Sequence, residues 1–264
     1  MLTYPNFRVD VADRVTTVII DRPDKRNALT VQMWSDLAAI CRHIGRDVSV
    51  RAAVFTGAGS SFCAGADISA LSADDAAMKT AVADAESALR ELPMPTVAVI
   101  RGHCAGGGTQ IAVACDLRIA DNTAVFAVPP AKLSVVYPAS SIRGLMSLIG
   151  PAATKRLIYT AAPIDAAEAH RLGLVDLLVA PRDVPAAVDE LVASMLPLAP
   201  LTQSATKAMV NAIAAGADEL DVQALHARWN RIWQDSSDGR EGPRAFLERR
   251  PAEFRWHPSP SESS

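Results

Sequence analysis

The feature that most constrains the fold is a series of strand-length apolar runs that alternate with helical patterns up to residue 120. Apolar and β-branched residues predict four strands, at 15–20, 52–56, 96–100 and 116–120. An amphipathic helix is predicted between the first two strands, starting near the N-cap type residue Thr30. The glycines at 106–108 open a second apolar helix. Strands and helices in this order predict an α/β core.

The second part of the chain has a different, mostly helical character. Asp165 is followed three positions later by Glu168, a capping-box pattern that starts a helix, and the pattern stays almost wholly helical as far as Arg250. The Ala-rich segment 69–92 predicts one or two helices that cover a site. The polar end of the chain lacks core-forming residues, which predicts disorder. The predicted division is a core at 1–199, a helical C-terminal domain at 200–256 and a disordered tail at 257–264.

Composition excludes several classes of function. The net charge of −3 over 264 residues argues against a broad basic surface for nucleic acid. No apolar run approaches the roughly 20 residues of a membrane span, and residues 1–10 do not resemble a signal peptide. The four cysteines form no C-x-x-C pair and no zinc spacing, so we expect buried, reduced thiols and no metal site. These patterns predict a soluble cytoplasmic protein.

Two glycine-containing segments beside predicted strands carry the strongest functional signal. They read F-C-A-G-A-D-I at 62–68 and G-H-C-A-G-G-G-T-Q at 102–110. Glycine permits backbone conformations that aim N–H groups outward and lets a ligand come close. The second segment also opens a helix, whose dipole favours negative charge at that end. Two such segments brought together give two donors for one oxyanion, and one good donor is worth on the order of 10² to 10³ in rate.

Each segment taken alone is more often plain turn chemistry than a site. Neither fits the G-x-G-x-x-G pattern of a dinucleotide fold in its strand context. The chain also lacks a G-x-x-x-x-G-K-[ST] phosphate loop and a G-x-S-x-G nucleophile elbow. The functional interpretation therefore depends on the two segments as a pair.

The pair, in this order and followed by C-D-L-R-I-A at 115–120, resembles the crotonase (enoyl-CoA hydratase/isomerase) family. Other segments extend the resemblance over most of the chain. They are R-P-D-K-R-N-A-L at 22–29, T-A-A-P-I-D-A-A-E-A at 160–169, L-G-L-V-D at 172–176 and A-F-L-E-R-R-P-A-E-F at 245–254.

The resemblance implies a spiral of ββα units whose C-terminal helical region builds homotrimers, often paired into hexamers. It implies an acyl-CoA thioester as ligand, with coenzyme A as part of the substrate and no separate cofactor. The thioester oxygen would accept hydrogen bonds from the backbone N–H groups of Ala66 and Gly107. Coenzyme A contacts would come from Lys25, Arg26, Ala28, Ala64, Asp67 and Ile68, and, toward the nucleotide of a neighbouring subunit, from Phe246 and Arg249.

The residues themselves leave some of these roles open. Lys25 and Arg26 are equally well explained as solvated charges. A carboxylate such as Asp67, just after a turn, bonds backbone N–H groups by default.

Hydration needs more than an oxyanion hole, because water must lose a proton and the α-carbon must gain one. Hydratases of the family use two glutamates for this purpose. The matching positions here read Gln110 and Pro130, and neither side chain can exchange a proton at neutral pH. We therefore expect poor hydration, and the sequence leaves open whether the chain is catalytic.

Tyr137 is a candidate for the missing chemistry. The segment 132–137 resembles decarboxylases of the family that act on malonyl-type thioesters, which carry a tyrosine at this position. Such a reaction needs an oxyanion hole and a proton donor but no base. The alternative is a packing residue whose hydroxyl is hydrogen-bonded.

Three hypotheses follow. The first is an enzyme that acts on a thioester enolate, either a weak hydratase/isomerase or a decarboxylase. The second is a non-catalytic protein that binds acyl-CoA. The third is an α/β protein of another class whose loops only mimic the pattern.

Overall fold

A computed structural model of the chain describes residues 4–67 and 75–258. In chain order its strands are β1 (Phe7–Ala12), β2 (Val15–Ile20), β3 (Ala52–Gly57), β4 (Thr96–Ile100), β5 (His103–Ala105), β6 (Leu117–Asp121), β7 (Val125–Ala127), β8 (Ile164–Asp165) and β9 (Leu177–Val179). The larger sheet has the order β1-β2-β3-β4-β6-β9, in which β1 is antiparallel to β2 and the other neighbours are parallel. The predicted α/β class is confirmed.

The register of the parallel strands fixes where a site can form. Ile20 at the end of β2 is paired with Gly57 at the end of β3, and Thr56 is paired with Val99 near the end of β4. The carboxyl ends of these strands therefore lie at one edge of the sheet, which is where ligands bind in open α/β sheets. Both glycine segments begin at that edge.

A smaller sheet in the described chain brings the second glycine segment against later parts of the sequence. In it β5 is parallel to β7, and β7 is antiparallel to β8. His103 is paired with Val125 and Ala105 with Ala127. The start of the second segment is therefore part of a sheet and not a free loop.

The helices are α1 (Val31–Arg46), α2 (Asp75–Arg90), α3 (Gly107–Ala114), α4 (Ala139–Thr160), α5 (Ala166–Leu172), α6 (Val184–Met195), α7 (Pro200–Ala215), α8 (Glu219–Asp235) and α9 (Asp238–Glu248). Thr30 caps α1 as predicted, because its hydroxyl accepts a hydrogen bond from Met33 N at 3.2 Å. Asp165 likewise caps α5 by accepting from Glu168 N at 2.8 Å. α4 bends at Gly150, which has a non-helical φ of 72°. The next residue, Pro151, cannot donate a backbone hydrogen bond.

The main core lies between the larger sheet and helices α1 to α5. α1 and α2 pack together, and α1 buries a stripe of apolar residues that recurs every three to four positions. Trp34, Phe55, Phe62 and Phe126 are among the largest fully buried side chains. Phe62 belongs to the first glycine segment, and the Trp34 ring packs against Gly107 of the second.

Five strands, β1, β5, β7, β8 and β9, lie where the sequence did not predict them. β7 and β8 have only three and two residues, which is too short to give a periodic signal. β1 precedes the run predicted as the first strand, because it is a mostly exposed edge strand that carries Arg8 and Asp10 and shows weak apolar alternation. β5 lies inside the second glycine segment. β9 interrupts the part predicted to be almost wholly helical, and with three residues it is too short to give a periodic signal. Of the predicted helical segment 69–92, α2 covers 75–90, while 68–74 lie outside the described residues.

The C-terminal helices start at Pro200 and pack back onto the core. Ser204 Oγ donates to Pro93 O at 2.6 Å, and Lys207 Nζ donates to Asp116 Oδ2 at 2.8 Å. A separate, small apolar cluster contains Leu201, Ala205 and Trp229, with Trp256 packed against it. A boundary at 199/200 stays a prediction, as does disorder of 257–264, of which the structure describes only 257 and 258.

No single helix of the described chain is long and apolar enough to cross a membrane. One pair, Pro181–Met195 with Pro200–Ala215, meets the length and composition criteria only when joined across a bend of 104°.

Candidate active site

The two glycine segments lie side by side. Cys63 N donates to His103 O at 2.9 Å, and Ala105 N donates to Cys63 O at the same distance. A Cβ added to Gly108 would lie 2.1 Å from Cys63 O, which no side chain can accommodate. The glycine at 108 is therefore required for the backbones to approach this closely.

Ala66 and Gly107 meet where the segments converge. A Cβ on Gly107 would lie 3.4 Å from Ala66 N and 2.6 Å from Cζ2 of the buried Trp34 ring. A Cβ on Gly65 would lie 3.1 Å from Gly107 N and 2.7 Å from Ala105 O. Both glycines are therefore needed for the two amides to lie in the same small region.

The amides of Ala66 and Gly107 are free to meet a ligand. Within the described residues, neither N–H donates a hydrogen bond. Gly107 is the first residue of α3, so its amide also lies at the positive end of the helix dipole. The pair can stabilise negative charge on one oxygen.

A third backbone segment holds Ala66 in place. Leu29 N donates to Gly65 O and Asp67 N donates to Leu29 O, both at 2.8 Å. Ala64 N donates to Arg26 O at 2.9 Å. Residues 26–29 thus pair along the whole of 64–67.

Asn27 anchors this third segment, a role that the sequence analysis did not assign. Its side chain is fully buried, and its Nδ2 donates to Ala58 O at 2.9 Å and to Ser61 O at 2.7 Å. Its Oδ1 accepts from Arg22 N at 2.9 Å. The backbone of Asn27 has a φ of 59°, a conformation that asparagine tolerates better than most residues. The sequence signal for this role was an asparagine that directly follows a charged turn.

An apolar cavity of about 180 Å³ opens at the paired amides. Of the residues predicted for the site, it brings together Ala64, Ala66, Gly107, Gln110 and Tyr137, with Pro130 also on its wall. No Asp, Glu or His is among the described residues that line it. Its other described lining residues are Gly65, Met78, Lys79, Val82, Gly106, Pro129, Leu133, Val135, Val136 and Pro138.

Gln110 is buried and is held from behind by a chain of hydrogen bonds. Its Nε2 donates to Ser141 Oγ at 2.6 Å, and Ser141 Oγ donates to Glu86 Oε1 at 2.7 Å. Ser140 Oγ donates to the other carboxylate oxygen of Glu86 at 3.0 Å. Glu86 is 3% exposed.

Glu86 was not among the residues predicted for the site, although the sequence carries a signal for it. Met78, Val82 and Glu86 recur at intervals of four on α2, so an acid stands on the apolar stripe of an amphipathic helix. An acid in such a position requires polar partners. Which partners it has could not be known, because Ser140 and Ser141 are on α4, more than fifty residues away.

Tyr137 lies on the cavity wall with its hydroxyl engaged. The hydroxyl donates to Gly106 O at 3.2 Å. Burial, with a smaller contribution from the negative charge of Glu86, raises the pKa of Tyr137 well above its usual range. The side chain is therefore a neutral phenol that bridges the cavity wall to the start of α3. The hydrogen-bonded packing role that the sequence left open is present, and its use as a donor to a ligand stays a prediction.

Cys63 and Cys104 lie within the two converging segments, but they are not suited to nucleophilic chemistry. Both thiols are fully buried and free, as predicted. Burial raises the pKa of Cys63 to about 12 and that of Cys104 well above its usual range. Over the described chain, no group of three or more His, Cys, Asp and Glu could hold a metal ion.

The residues predicted to contact coenzyme A fall into two groups. Lys25 and Arg26 are exposed beside the third backbone segment, and Arg26 Nη1 lies 3.4 Å from the His103 ring. Asp67 Oδ2 accepts from Arg22 Nη1 at 2.6 Å, and the same nitrogen donates to Ala28 O at 3.0 Å.

In the second group, Phe246 and Arg249 are exposed at the end of α9 and do not line the cavity of this chain. Phe246 is 83% exposed. Ile68 lies outside the described residues.

Comparison with known proteins identifies the class of molecule with this architecture. The family model described as enoyl-CoA hydratase/isomerase matches residues 10–257. The (E)-benzylidenesuccinyl-CoA hydratase of Thauera aromatica is 34% identical over 94% of this chain and 98% of its own length. The crotonyl-CoA hydratase of Syntrophomonas wolfei is 31% identical over 96% and 99%, respectively.

A solved structure agrees with these sequence relationships. An enoyl-CoA hydratase from Bacillus anthracis superposes with a TM-score of 0.86 and 28% identity, over 94% of this chain and 98% of that one. The predicted crotonase-like fold is thereby confirmed. The chain belongs to the crotonase, or enoyl-CoA hydratase/isomerase, family.

Proposed function

We propose that this protein binds an acyl-CoA thioester and polarises its carbonyl oxygen with the amides of Ala66 and Gly107. The observation that carries the proposal is that these two amides converge, without partners among the described residues, at an apolar cavity. A thioester supplies an oxygen that gains negative charge when an enolate forms, and an acyl chain that an apolar wall can accept.

Coenzyme A would extend from the cavity along the third backbone segment. Lys25 and Arg26 are exposed there, as side chains that meet a phosphate must be. Phe246 and Arg249 lie away from the cavity of their own chain, which suits contacts to a neighbouring subunit in a homotrimer or hexamer. Phe246 and the adjacent Leu247 are both largely exposed, and neighbouring exposed apolar side chains suit an interface.

The proposed activity is stabilisation of a thioester enolate with poor hydration. Gln110 and Pro130 occupy the wall where hydratases of the family would place their acids. A carboxamide can orient water but cannot take its proton, and proline offers no acid–base group. Loss of a positioned acid or base costs typically 10² to 10⁴ in rate for each group.

A non-catalytic acyl-CoA binder is the second candidate. It is favoured by the absence of Asp, Glu and His among the described lining residues. Decarboxylation would need Tyr137 as a proton donor, and that hydroxyl already donates to Gly106 O. The decarboxylase alternative is for this reason the weakest of the three.

Native mass spectrometry with butyryl-CoA and longer acyl-CoAs tests the binding, with free coenzyme A as the reference ligand. Stoichiometric binding of the thioesters is the expected result. If no thioester is bound at any chain length, the proposal is wrong. A steady-state assay with crotonyl-CoA then separates the two candidates. A non-catalytic binder hydrates crotonyl-CoA no faster than buffer alone does.

A further inference from the structure

Glu86 lies at one end of a hydrogen-bond chain whose other end, Gln110, lines the cavity. The chain runs from Gln110 Nε2 through Ser141 Oγ to Glu86 Oε1. Glu86 is buried and does not line the cavity, so it cannot touch an acyl group itself. Its influence on a ligand must pass through Gln110.

The direction of this chain is fixed by the number of protons available. A serine hydroxyl has one proton, and Ser141 donates it to Glu86. Ser141 Oγ can then only accept from Gln110, so the amide nitrogen of Gln110 must face the serine. The opposite orientation of the amide would place two acceptors against each other.

The carbonyl oxygen of Gln110 is consequently turned toward the cavity. Among the described residues it has no hydrogen-bond donor, although the side chain as a whole is buried and lines the cavity. An acceptor on an apolar cavity wall favours a ligand that brings a donor over one that does not, because only the first can form a hydrogen bond with it.

The position of this oxygen relative to the proposed oxyanion site defines which part of a ligand it meets. Gly107 and Gln110 are three positions apart on α3, so their side-chain positions lie about 5 to 6 Å apart on one helix face. The α and β carbons of a thioester lie two to three bonds from the carbonyl oxygen. They therefore fall within reach of Gln110 when that oxygen is at Gly107.

We propose that Glu86 is a positioning residue that acts through Ser141 to present the Gln110 carbonyl oxygen to the acyl group. The site consequently prefers acyl chains that carry a hydroxyl on the α or β carbon over chains without one. This preference rests on the proposed binding of acyl-CoA.

The test compares the affinities of (S)- and (R)-3-hydroxybutyryl-CoA with that of butyryl-CoA by calorimetry, on the full-length protein. One added hydrogen bond to the Gln110 carbonyl oxygen predicts that the better-fitting isomer binds roughly five- to tenfold more tightly than butyryl-CoA. Ser141→Ala breaks the chain and frees the Gln110 amide to rotate, so this ratio is expected to fall to about 1 to 2.

Two serine variants control for a general loss of structure. Ser140→Ala removes a hydrogen bond to the same carboxylate but leaves the chain to Gln110 intact, so it should preserve most of the selectivity. Ser147→Ala makes the same change on the same helix, at a hydroxyl that only donates to Gly144 O. The affinity of free coenzyme A should be the same in all variants.

The outcomes separate the two proposals. Failure of all three thioesters to bind would overturn the proposed function, and this inference with it. Equal binding of butyryl-CoA and both hydroxylated isomers would overturn this inference alone. Selectivity that survives in Ser141→Ala, with normal coenzyme A affinity, would show that Glu86 does not act through Ser141.

Discussion

On one wall of the cavity the groups that face a ligand belong to the backbone of 64–66 and 106–107. On the other wall, at 110 and 129–138, they belong to side chains. The backbone wall depends on glycines that no other residue can replace, because added Cβ atoms would meet backbone or buried ring atoms. On the side-chain wall the chemistry is set by which side chain is present, such as the carboxamide of Gln110 or the phenol of Tyr137. Under the proposed function, the backbone wall would thus specify the ligand class and the side-chain wall the reaction.

The largest expected effect is on the side-chain wall. Crotonyl-CoA hydration should be at least ~10² slower than in a homologue with both glutamates, because Gln110 and Pro130 cannot exchange protons. A stopped assay of 3-hydroxybutyryl-CoA formation measures the rate. A rate equal to that of the homologue would show that another group replaces the glutamates.

Restoring hydration should need three changes. In Gln110→Glu with Pro130→Glu, the new carboxylate at 110 would compete with Glu86 for the one proton of Ser141. Adding Glu86→Gln removes this competition, so the triple variant should hydrate crotonyl-CoA faster than the double variant, by roughly tenfold or more. If the double variant hydrates crotonyl-CoA as fast as the triple variant, the expected competition for the Ser141 proton is wrong.

Asn27→Ala should cause the next largest effect, on the backbone wall. Loss of the side chain leaves Ala58 O, Ser61 O and Arg22 N without their buried partner, at a cost of about 3 kcal/mol in unfolding free energy. Urea denaturation measures the change. Asn230→Ala, at an exposed position of α8, is the matched control and should stay within about 0.5 kcal/mol of the wild type.

Gly107→Ala tests the proposed donor pair directly. The added Cβ would overlap the Trp34 ring, so Gly107 or Ala66 must move and the two amides no longer converge. We expect butyryl-CoA to bind about tenfold more weakly, by loss of one to two hydrogen bonds. Gly45→Ala, where the new Cβ would lie 3.5 Å or more from its neighbours, should bind normally. If Gly107→Ala binds butyryl-CoA as tightly as the wild type does, Gly107 is not part of the binding site.

Tyr137→Phe should give the smallest effect, because it removes one neutral hydrogen bond to Gly106 O. We expect roughly a two- to fivefold change in the affinity for butyryl-CoA. The pKa of this tyrosine is raised by burial, so its neutral form is favoured by folding. Its contribution to stability is present below pH 10 and is lost as the pH rises further. Denaturation at pH 9 and 11 should therefore show a smaller loss of stability in Tyr137→Phe than in the wild type.

The sequence predicted the backbone wall better than the side-chain wall. The strands around the site, the cap at Thr30 and the glycines at 106–108 leave local patterns. The assignment of Ala66 and Gly107 within those segments came from the resemblance to the family. The Glu86–Ser141–Gln110 chain joins α2, α4 and α3, so no local pattern contains it. β1 and β9 were missed because one is mostly exposed and the other is three residues long.

The contact between Trp34 and Gly107 gives the protein a built-in optical reporter. The Trp34 ring is fully buried in apolar surroundings, and its Nε1 has no hydrogen-bond partner in the described chain. The three other tryptophans lie at 229, 233 and 256, all in the C-terminal region. A carbonyl dipole that arrives at Gly107 N would change the electric field at the Trp34 indole first. Trp229 is also buried with its Nε1 unpartnered in the described chain, so it emits in the same spectral region. In a Trp229→Phe variant, intrinsic emission at the blue edge of the spectrum can thus follow occupancy of the site without a label.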